Sequence, residues 1–249
     1  MGHICLKPDI SDTDMTFQPF KNIGKREIIS DEKFIVRFQI IENEIQNSKN
    51  IKPIELEVIH VDTIDSTMPA SREYIDQGNK LPFIYNTVIQ TQGKGKGARK
   101  WAGSISGNIY TSSSIPINMI KNEINVNDII VKITAISIIQ ELRRYSKDFY
   151  LKYPNDIICV DRRKIGGIIA EYYKDFCIIG FGINIVDKPE QSEIRKEGLS
   201  PCFVNEHLQN KTGPTALDLS IEITKQIICN LTKSKDEVEA LFEKYVKKE

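Results

Sequence analysis

A basic, glycine-rich segment holds the residues of this chain that are best suited to binding an anion. Residues 90–101 read QTQGKGKGARKW, in which three glycines alternate with two lysines and an Arg-Lys pair follows. Because glycine adopts almost any backbone conformation, such a segment can turn several N–H groups toward one point, and lysines add charge beside them. The segment is therefore predicted to bind a phosphate or a carboxylate; the alternative is a flexible basic surface loop.

Trp101 closes this segment and is the only tryptophan of the chain. Its ring could flank a base or the closed form of the loop, or it could be an ordinary core residue. The segment is not a Walker A loop, because no Gly-Lys-Ser/Thr opens a following helix, and it lacks the G-x-G-x-x-G spacing of a dinucleotide turn. It therefore indicates an anion site without naming the anion.

Four short motifs accompany the loop in a fixed order along the chain. They are residues 65–67 (DST), 152–156 (KYPND), 164–171 (KIGGIIAE) and 180–184 (GFGIN). Each has an ordinary structural interpretation when it is taken singly. Ser66 and Thr67 could cap a helix, residues 154–156 could form a turn, and Lys164 could be a solvated lysine at the end of a hairpin.

Taken together, the motifs resemble those of the catalytic domain of biotin–protein ligases. The family patterns are D-S-T-N, a Gly/Arg-rich loop ending in Trp, K-W-P-N-D, K-[LI]-x-G-I-[LI]-x-E and G-x-G-[IL]-N, and the resemblance covers roughly residues 55–249. It implies a ligase that uses ATP to convert biotin into biotinyl-5′-AMP. The biotin is then transferred to a lysine of the biotin carboxyl carrier domain of a carboxylase.

The resemblance also assigns roles to individual residues. It makes Lys164, Lys96 and Asp156 catalytic: Lys164 faces the biotin carboxylate and the α-phosphate, Lys96 closes over both anions, and Asp156 orients the incoming lysine amine. Relatives usually have Arg where this chain has Lys96, and an ammonium replaces a planar guanidinium poorly at a bidentate site. We therefore expect the adenylate to be held less tightly, so that some escapes to label bystander lysines.

The ligand-binding residues that the resemblance implies fall into two groups. The biotin-binding group is Ser66, Thr67, Gln90, Gly93, Lys94, Lys96, Gly166 and Gly167. The group that binds ATP or the adenylate is Gly95, Lys96, Trp101, Asn155, Lys164 and Asn184. Hydroxyls and a carboxamide match the carbonyl acceptor and two N–H donors of the ureido ring of biotin. Mg²⁺ is expected with ATP, but the sequence does not identify its protein ligands.

Alternating strand and helix signals predict an α+β fold, a mixed and mostly antiparallel sheet backed by helices. Residues 55–61 are predicted to be a strand, 69–77 a helix, and 164–173 with 176–185 a hairpin joined by a two-residue turn. The resemblance implies the fold shared by class II aminoacyl-tRNA synthetases and biotinyl or lipoyl ligases. It makes residues 55–249 the catalytic domain.

Residues 1–54 are polar and irregular, apart from an apolar run at 34–45 that could be a strand or a short helix. They are predicted to be an N-terminal extension without the helix-turn-helix that repressor relatives carry. Relatives usually continue into a small SH3-like β domain. This chain ends at Glu249, so that domain is expected to be absent.

Composition narrows the partners and the compartment. The formal net charge is zero and no apolar run approaches the roughly 20 residues that span a bilayer, so neither DNA nor a membrane is expected as a partner. The five cysteines form no C-x-x-C pair and no secretion signal is present, which favours the cytoplasm. The three histidines show no ligand spacing with cysteines or carboxylates, so no imidazole-held metal site is expected. The sequence does not indicate an oligomeric state.

Two alternatives remain at this point. A lipoate–protein ligase or octanoyltransferase shares the fold, but it usually carries R-R-x-x-G-G-G-x-V where this chain has residues 93–101. A non-catalytic protein that binds biotin or its adenylate could retain the same pocket. Together, Lys164, Asp156 and Asn184 favour an enzyme over such a binding protein.

Overall fold

The structure is a computed structural model that describes residues 26–30, 33–45, 48–97, 99–120, 126–190, 198–208 and 213–247. Its strands are β1 (Arg26–Ser30), β2 (Lys33–Ile45), β3 (Ser48–Ile64), β4 (Phe83–Gln90), β5 (Ile109–Pro116), β6 (Phe149–Lys152), β7 (Asp156–Cys159), β8 (Lys164–Tyr173) and β9 (Phe176–Ile183). Its α-helices are α1 (Thr67–Asp76), α2 (Val126–Leu142), α3 (Ala216–Asn230) and α4 (Lys235–Tyr245). None of these helices combines the length and apolarity needed to cross a bilayer.

The described strands form one sheet in the order β1-β2-β3-β4-β5-β9-β8-β7-β6. Only β3 and β4 pair in parallel, because α1 connects them; each of the other neighbouring pairs is antiparallel. The predicted fold class is confirmed. So is the hairpin of β8 and β9, whose two-residue turn contains Lys174 with a left-handed φ of 49°.

The two faces of the sheet are covered by different helices. Val58 of β3 and Ile179 of β9 belong to the large core under α2, α3 and α4, whereas their chain neighbours Ile59 and Ile178 pack with Met68 of α1. Since consecutive side chains of a strand point to opposite faces, α1 lies on one face and the other three helices lie on the opposite one. The former is called the α1 face below.

The predicted boundary between residues 54 and 55 falls inside β3. The apolar run at 34–45 is strand β2, and β2 pairs along β3 from Lys33↔Ile59 to Ile45↔Ser48. Alternate residues of β2, such as Val36 and Phe38, are buried in the large core. The described residues before 55 are therefore strands of the same sheet, with no helix among them; residues 1–25 lie outside the described part.

Candidate functional site

A cavity of about 610 Å³ opens on the α1 face. Its floor contains Gly180 and Gly182 of β9, and Gly167 of β8 lies directly opposite Gly182 in the register. Because these positions carry no side chain, the side chains of Met68 and Trp101 can lie close to the sheet.

One end of the cavity is built for hydrogen bonding to a ligand. The Oε1 atom of Gln90 accepts from the backbone N–H of Thr67 at 2.9 Å and from its hydroxyl at 3.3 Å. Since a backbone N–H can only donate, these contacts fix the orientation of the carboxamide, and Nε2 is the group that Gln90 can offer to a ligand. The predicted residues Thr67 and Gln90 therefore lie together and orient each other.

Two buried polar atoms in the cavity walls have no partner among the described residues. They are Ser66 Oγ and Trp101 Nε1. Ser66 occupies the N-cap position of α1, yet its side chain makes no capping hydrogen bond. A buried polar group without a partner costs about 1–3 kcal/mol, so both atoms mark positions where a polar ligand would gain a hydrogen bond.

Trp101 forms a wall of the cavity by lying against facing glycines. A Cβ added to Gly182 would lie 2.4–2.7 Å from atoms of the indole ring, and one added to Gly167 would lie 3.2 Å from it. The Lys164 ammonium lies 5.5 Å from the centre of the ring. The two glycines are therefore the positions that allow this aromatic ring to reach the sheet.

Replacing Gly182 by alanine is expected to displace the Trp101 ring, because the new methyl group would overlap it. Overpacking of this kind costs about 1–3 kcal/mol of stability. Trp101 is the only tryptophan, so a red-shifted emission and increased iodide quenching would report the displacement directly. The control is Gly78→Asn, since Gly78 has a φ of +91°, which asparagine tolerates better than most residues, and open space around it. Unchanged emission in Gly182→Ala would contradict the packing described above.

The mouth of the cavity is strongly cationic. Its lining includes the basic residues Lys94, Lys96, Arg99, Lys100 and Lys164. No carboxylate is among the described residues of this lining. The charge suits an anionic ligand, but the walls do not form a Mg²⁺ site of their own, because such a site needs carboxylate oxygens.

The loop of residues 93–101 uses part of its backbone in hydrogen bonds within the loop. Gly95 donates its N–H to the carbonyl of Arg99, and Trp101 donates to the carbonyl of Gly93, each at 2.8 Å. These bonds close a small hairpin, so the N–H of Gly95 is not turned toward the cavity. Gly93 lies outside the lining, where a Cβ would approach the Trp101 carbonyl oxygen to 2.5 Å. The loop therefore presents basic side chains, rather than the N–H of Gly95, to the cavity.

Lys164 and Asp156 are brought together as an ion pair at 2.6 Å. Asp156 begins β7 and Lys164 begins β8, and these strands pair antiparallel. The backbone of Lys164 is held on its other side, where its N–H donates to Ser200 O at 2.7 Å and its carbonyl accepts from Cys202 N–H at 2.9 Å. Lys164 and Asp156, two of the three residues predicted to be catalytic, are therefore in direct contact, and the backbone hydrogen bonds of Lys164 hold the pair in place.

A wider hollow of about 1,310 Å³ adjoins the cavity. The predicted nucleotide-binding residues Gly95, Lys96 and Asn155 line both spaces. Asn155 donates its Nδ2 to the carbonyl of Ile168 at 2.9 Å, so Oδ1 is the atom that it can offer to a ligand. Together the two spaces could take an elongated ligand that passes beneath the basic loop.

Four of the predicted site residues line neither space: Gly93, Asp156, Gly166 and Asn184. Asn184 is buried and donates its Nδ2 to the carbonyl of Cys202 at 3.0 Å, so its amide supports the backbone beside Lys164. Gly166 lies under β9, where a Cβ would meet the Gly182 carbonyl oxygen at 2.7 Å. Asn184 and Gly166 thus make contacts within the protein, and the ligand contacts predicted for them stay predictions.

Several wall residues were not assigned individually as ligand-binding residues in the sequence analysis. They are Met68, Arg99, Lys100, Thr111, Ile168, Ile169, Gly180, Phe181 and Gly182. Met68 stands where the family pattern has Asn, and its sulfur would lie 2.8 Å from a Cβ at Gly180, so it covers that glycine. The basic pair at 99–100 was a usable signal, because both residues extend the charge of the loop.

No protein-family model matches the chain. The structure is similar to biotin protein ligase from Leishmania major in complex with biotin (TM-score 0.67, 23% identity, 77% of this chain and 81% of that one). The same ligase in complex with biotinyl-5-AMP gives a TM-score of 0.66 at 23% identity over 76% and 81% of the two chains. Biotin protein ligase from Aquifex aeolicus in complex with biotin and ATP gives 0.61 at 24% identity over 76% and 78%. The chain therefore has the fold of biotin protein ligases.

Proposed function

We propose that this chain is an ATP-dependent biotin–protein ligase. It adenylates biotin and transfers it to a lysine of a biotin carboxyl carrier domain. The observation that carries the proposal is a single cavity with a hydrogen-bonding end at Ser66, Thr67 and Gln90 and a cationic mouth at Lys164. Biotin matches this arrangement, because it has a ureido ring at one end and a carboxylate at the other. Solved structures of this fold contain biotin, biotinyl-5-AMP, or biotin with ATP.

In the first step a carboxylate oxygen of biotin attacks the α-phosphorus of ATP, and pyrophosphate leaves with the electrons of the broken P–O bond. The protein has to hold two anions together and stabilise the charge that builds between them. Lys164 and Lys96 supply positive charge, and Asn155 supplies a polar contact at the junction of the two spaces. No protein nucleophile is needed.

In the second step the ε-amine of the carrier lysine attacks the acyl carbon of the adenylate, and AMP leaves. Asp156 is placed to accept a hydrogen bond from that amine once Lys164 turns from it toward the phosphate. The 2.6 Å ion pair between them supports this exchange of partners. Mg²⁺ would enter with ATP and neutralise its phosphates. We further propose that the protein acts in the cytoplasm on a carboxylase, without a DNA or membrane partner.

Pyrophosphate–ATP exchange by the purified chain tests the proposal, with biotin, lipoate or no acid and with Mg²⁺ present. Biotin-dependent exchange is expected. The dithiolane ring of lipoate has no strong hydrogen-bonding group, so it would leave Ser66 Oγ and Gln90 Nε2 without partners. Exchange with lipoate alone would assign the chain to the lipoate ligases. No exchange with either acid, together with retained biotin binding, would favour a non-catalytic binding protein.

Replacing Lys96 by arginine is expected to increase retention of the adenylate. Lys96 is exposed in the wall that the two spaces share, and a guanidinium can make two hydrogen bonds to a phosphate where an ammonium acts as a point charge. A gain of about 1.4 kcal/mol would slow release of the adenylate about tenfold. Biotinylation of an unrelated protein added to the reaction should fall accordingly, and Lys80→Arg on the exposed surface is the control. If the unmodified ligase biotinylates the unrelated protein no more than buffer alone does, the expected escape of the adenylate is contradicted.

A further inference from the structure

Two buried cysteines and a histidine meet outside the cavity. Cys159 Sγ, Cys202 Sγ and one ring nitrogen of His207 all lie within 4.8 Å of one another, and Cys202 Sγ is 3.0 Å from His207 Nε2. Cys159 ends β7, Cys202 lies in the 198–208 segment, and His207 ends a short 3-10 helix, Val204–His207, in the same segment. Both cysteines are free thiols that are fully buried.

The spacing of the three groups is close to that of zinc ligands. Tetrahedral Zn²⁺ with thiolate and imidazole ligands holds its donor atoms about 3.5–3.8 Å apart. His207 Nε2 faces the sulfurs, while Nδ1 lies 3.5 Å from Asp148 Oδ2. A carboxylate on the far nitrogen fixes the ring and its tautomer, as it does for histidines that bind metals.

Two carboxylates are available for the fourth coordination position. Asp161 Oδ1 lies 2.6 Å from Cys159 Sγ, and Glu206 Oε2 lies 3.4 Å from Cys202 Sγ. Arg163 holds both acids in place, with its Nε 2.7 Å from Asp161 Oδ2 and its NH2 2.6 Å from Glu206 Oε1. The cluster therefore has three soft or borderline donors and an oxygen donor on either side.

We propose that Cys159, Cys202 and His207 bind a Zn²⁺ ion, with Asp148 orienting the histidine and Asp161 or Glu206 completing the site. Sulfur and imidazole donors select zinc over Mg²⁺ or Ca²⁺, which prefer oxygen ligands. The site is buried and none of the three residues lines the cavity, so its role is structural. This proposal differs from the expectation, drawn from the sequence, that no metal site would be held by imidazole.

The metal would anchor the 198–208 segment to the strands that carry Lys164 and Asp156. Three hydrogen bonds already join that segment to the neighbourhood of Lys164: Lys164 N–H to Ser200 O, Cys202 N–H to Lys164 O, and Asn184 Nδ2 to Cys202 O. A bond from each cysteine to one ion would close the segment against β7. Zinc binding is therefore expected to slow hydrogen exchange of the Cys202 and Lys164 amides.

Metal content and cobalt substitution of the full chain test the site. One zinc per chain is expected by mass spectrometry of the metal. After its removal, added Co²⁺ should give thiolate-to-cobalt charge transfer and the intense visible bands of tetrahedral coordination. Cys202→Ser and His207→Gln should lose these bands. Cys177→Ser is the matched control, because Cys177 is a free, buried thiol of β9 that does not belong to the cluster.

Asp148→Asn keeps all of the proposed zinc ligands. It therefore tests the site even if the variants that remove a ligand fail to fold. It is expected to weaken zinc binding about 10–100-fold. Cobalt bands that are absent from the unmodified chain, or that survive unchanged in His207→Gln, would overturn the proposal. A Cys159–Cys202 disulfide found by mass spectrometry after alkylation of the unreduced protein would overturn it too. None of these readouts depends on ligase activity, so the metal site and the proposed function fail independently.

Discussion

Replacing Lys164 by alanine is expected to reduce biotin-dependent pyrophosphate exchange about 10²–10³-fold, the usual cost of removing one group that stabilises developing charge. Lys164 is the basic residue of the lining whose backbone begins a strand, so its ammonium is the best-positioned charge at the mouth. Its loss also leaves the Asp156 carboxylate without its 2.6 Å partner, where it would repel an incoming phosphate. The measurement is the initial rate of exchange at saturating biotin and ATP.

Two comparisons make this prediction specific. Lys80→Ala removes an exposed lysine far from the cavity and should leave exchange unchanged. Biotin binding by Lys164→Ala, followed through Trp101 fluorescence, should fall much less than the rate, because the hydrogen-bonding end of the cavity is intact. Equal losses of binding and exchange would favour the non-catalytic binding protein over the ligase.

Replacing Gln90 by glutamate is expected to weaken biotin binding about 100-fold. The Oε1 contacts with the backbone N–H and hydroxyl of Thr67 are retained, so the local structure should persist. What changes is Nε2, which becomes a carboxylate oxygen facing the ureido carbonyl. Loss of that donor and the new repulsion cost about 3 kcal/mol, which corresponds to roughly 100-fold in Kd. Titration of Trp101 fluorescence with biotin measures the effect.

The introduced carboxyl also predicts a pH signature. Burial raises the pKa of such a group, and its protonated form can donate a hydrogen bond again. Binding should therefore recover as the pH falls through that pKa, whereas the unmodified protein should show no such recovery. Gln39→Glu makes the same charge change on the exposed side of β2 and is the control. Undiminished biotin binding at neutral pH would show that Gln90 does not hold the ureido ring.

Much of the fold, and about half of the residues that line the cavity, could be predicted from short sequence patterns. The strand-like runs at 164–173 and 176–185, with two residues between them, predict a hairpin, because a two-residue turn returns the chain beside the strand that it has just left. The order of the short motifs placed Ser66, Thr67, Gln90 and Lys164 in one site, and the structure brings these residues to one cavity. The polar composition of residues 1–54 did not predict that strand β2 lies among them. The reason is that exposed polar residues of β2 alternate with its buried apolar ones.

The sequence by itself determined which residue types are available for the chemistry: the hydroxyls and amide for a ureido ring, and the basic residues for anions. Only the tertiary structure decided which of them face the cavity. It placed Trp101 on Gly182, used the N–H of Gly95 within a hairpin and turned Asn184 toward Cys202. It also gathered Cys159, Cys202 and His207. The reason is physical: the contacts of Trp101 with Gly182, of Asn184 with Cys202 and of Cys159 with Cys202 join residues far apart in the chain. The register of the strands and the packing between them set these distances, which spacing along the chain does not encode.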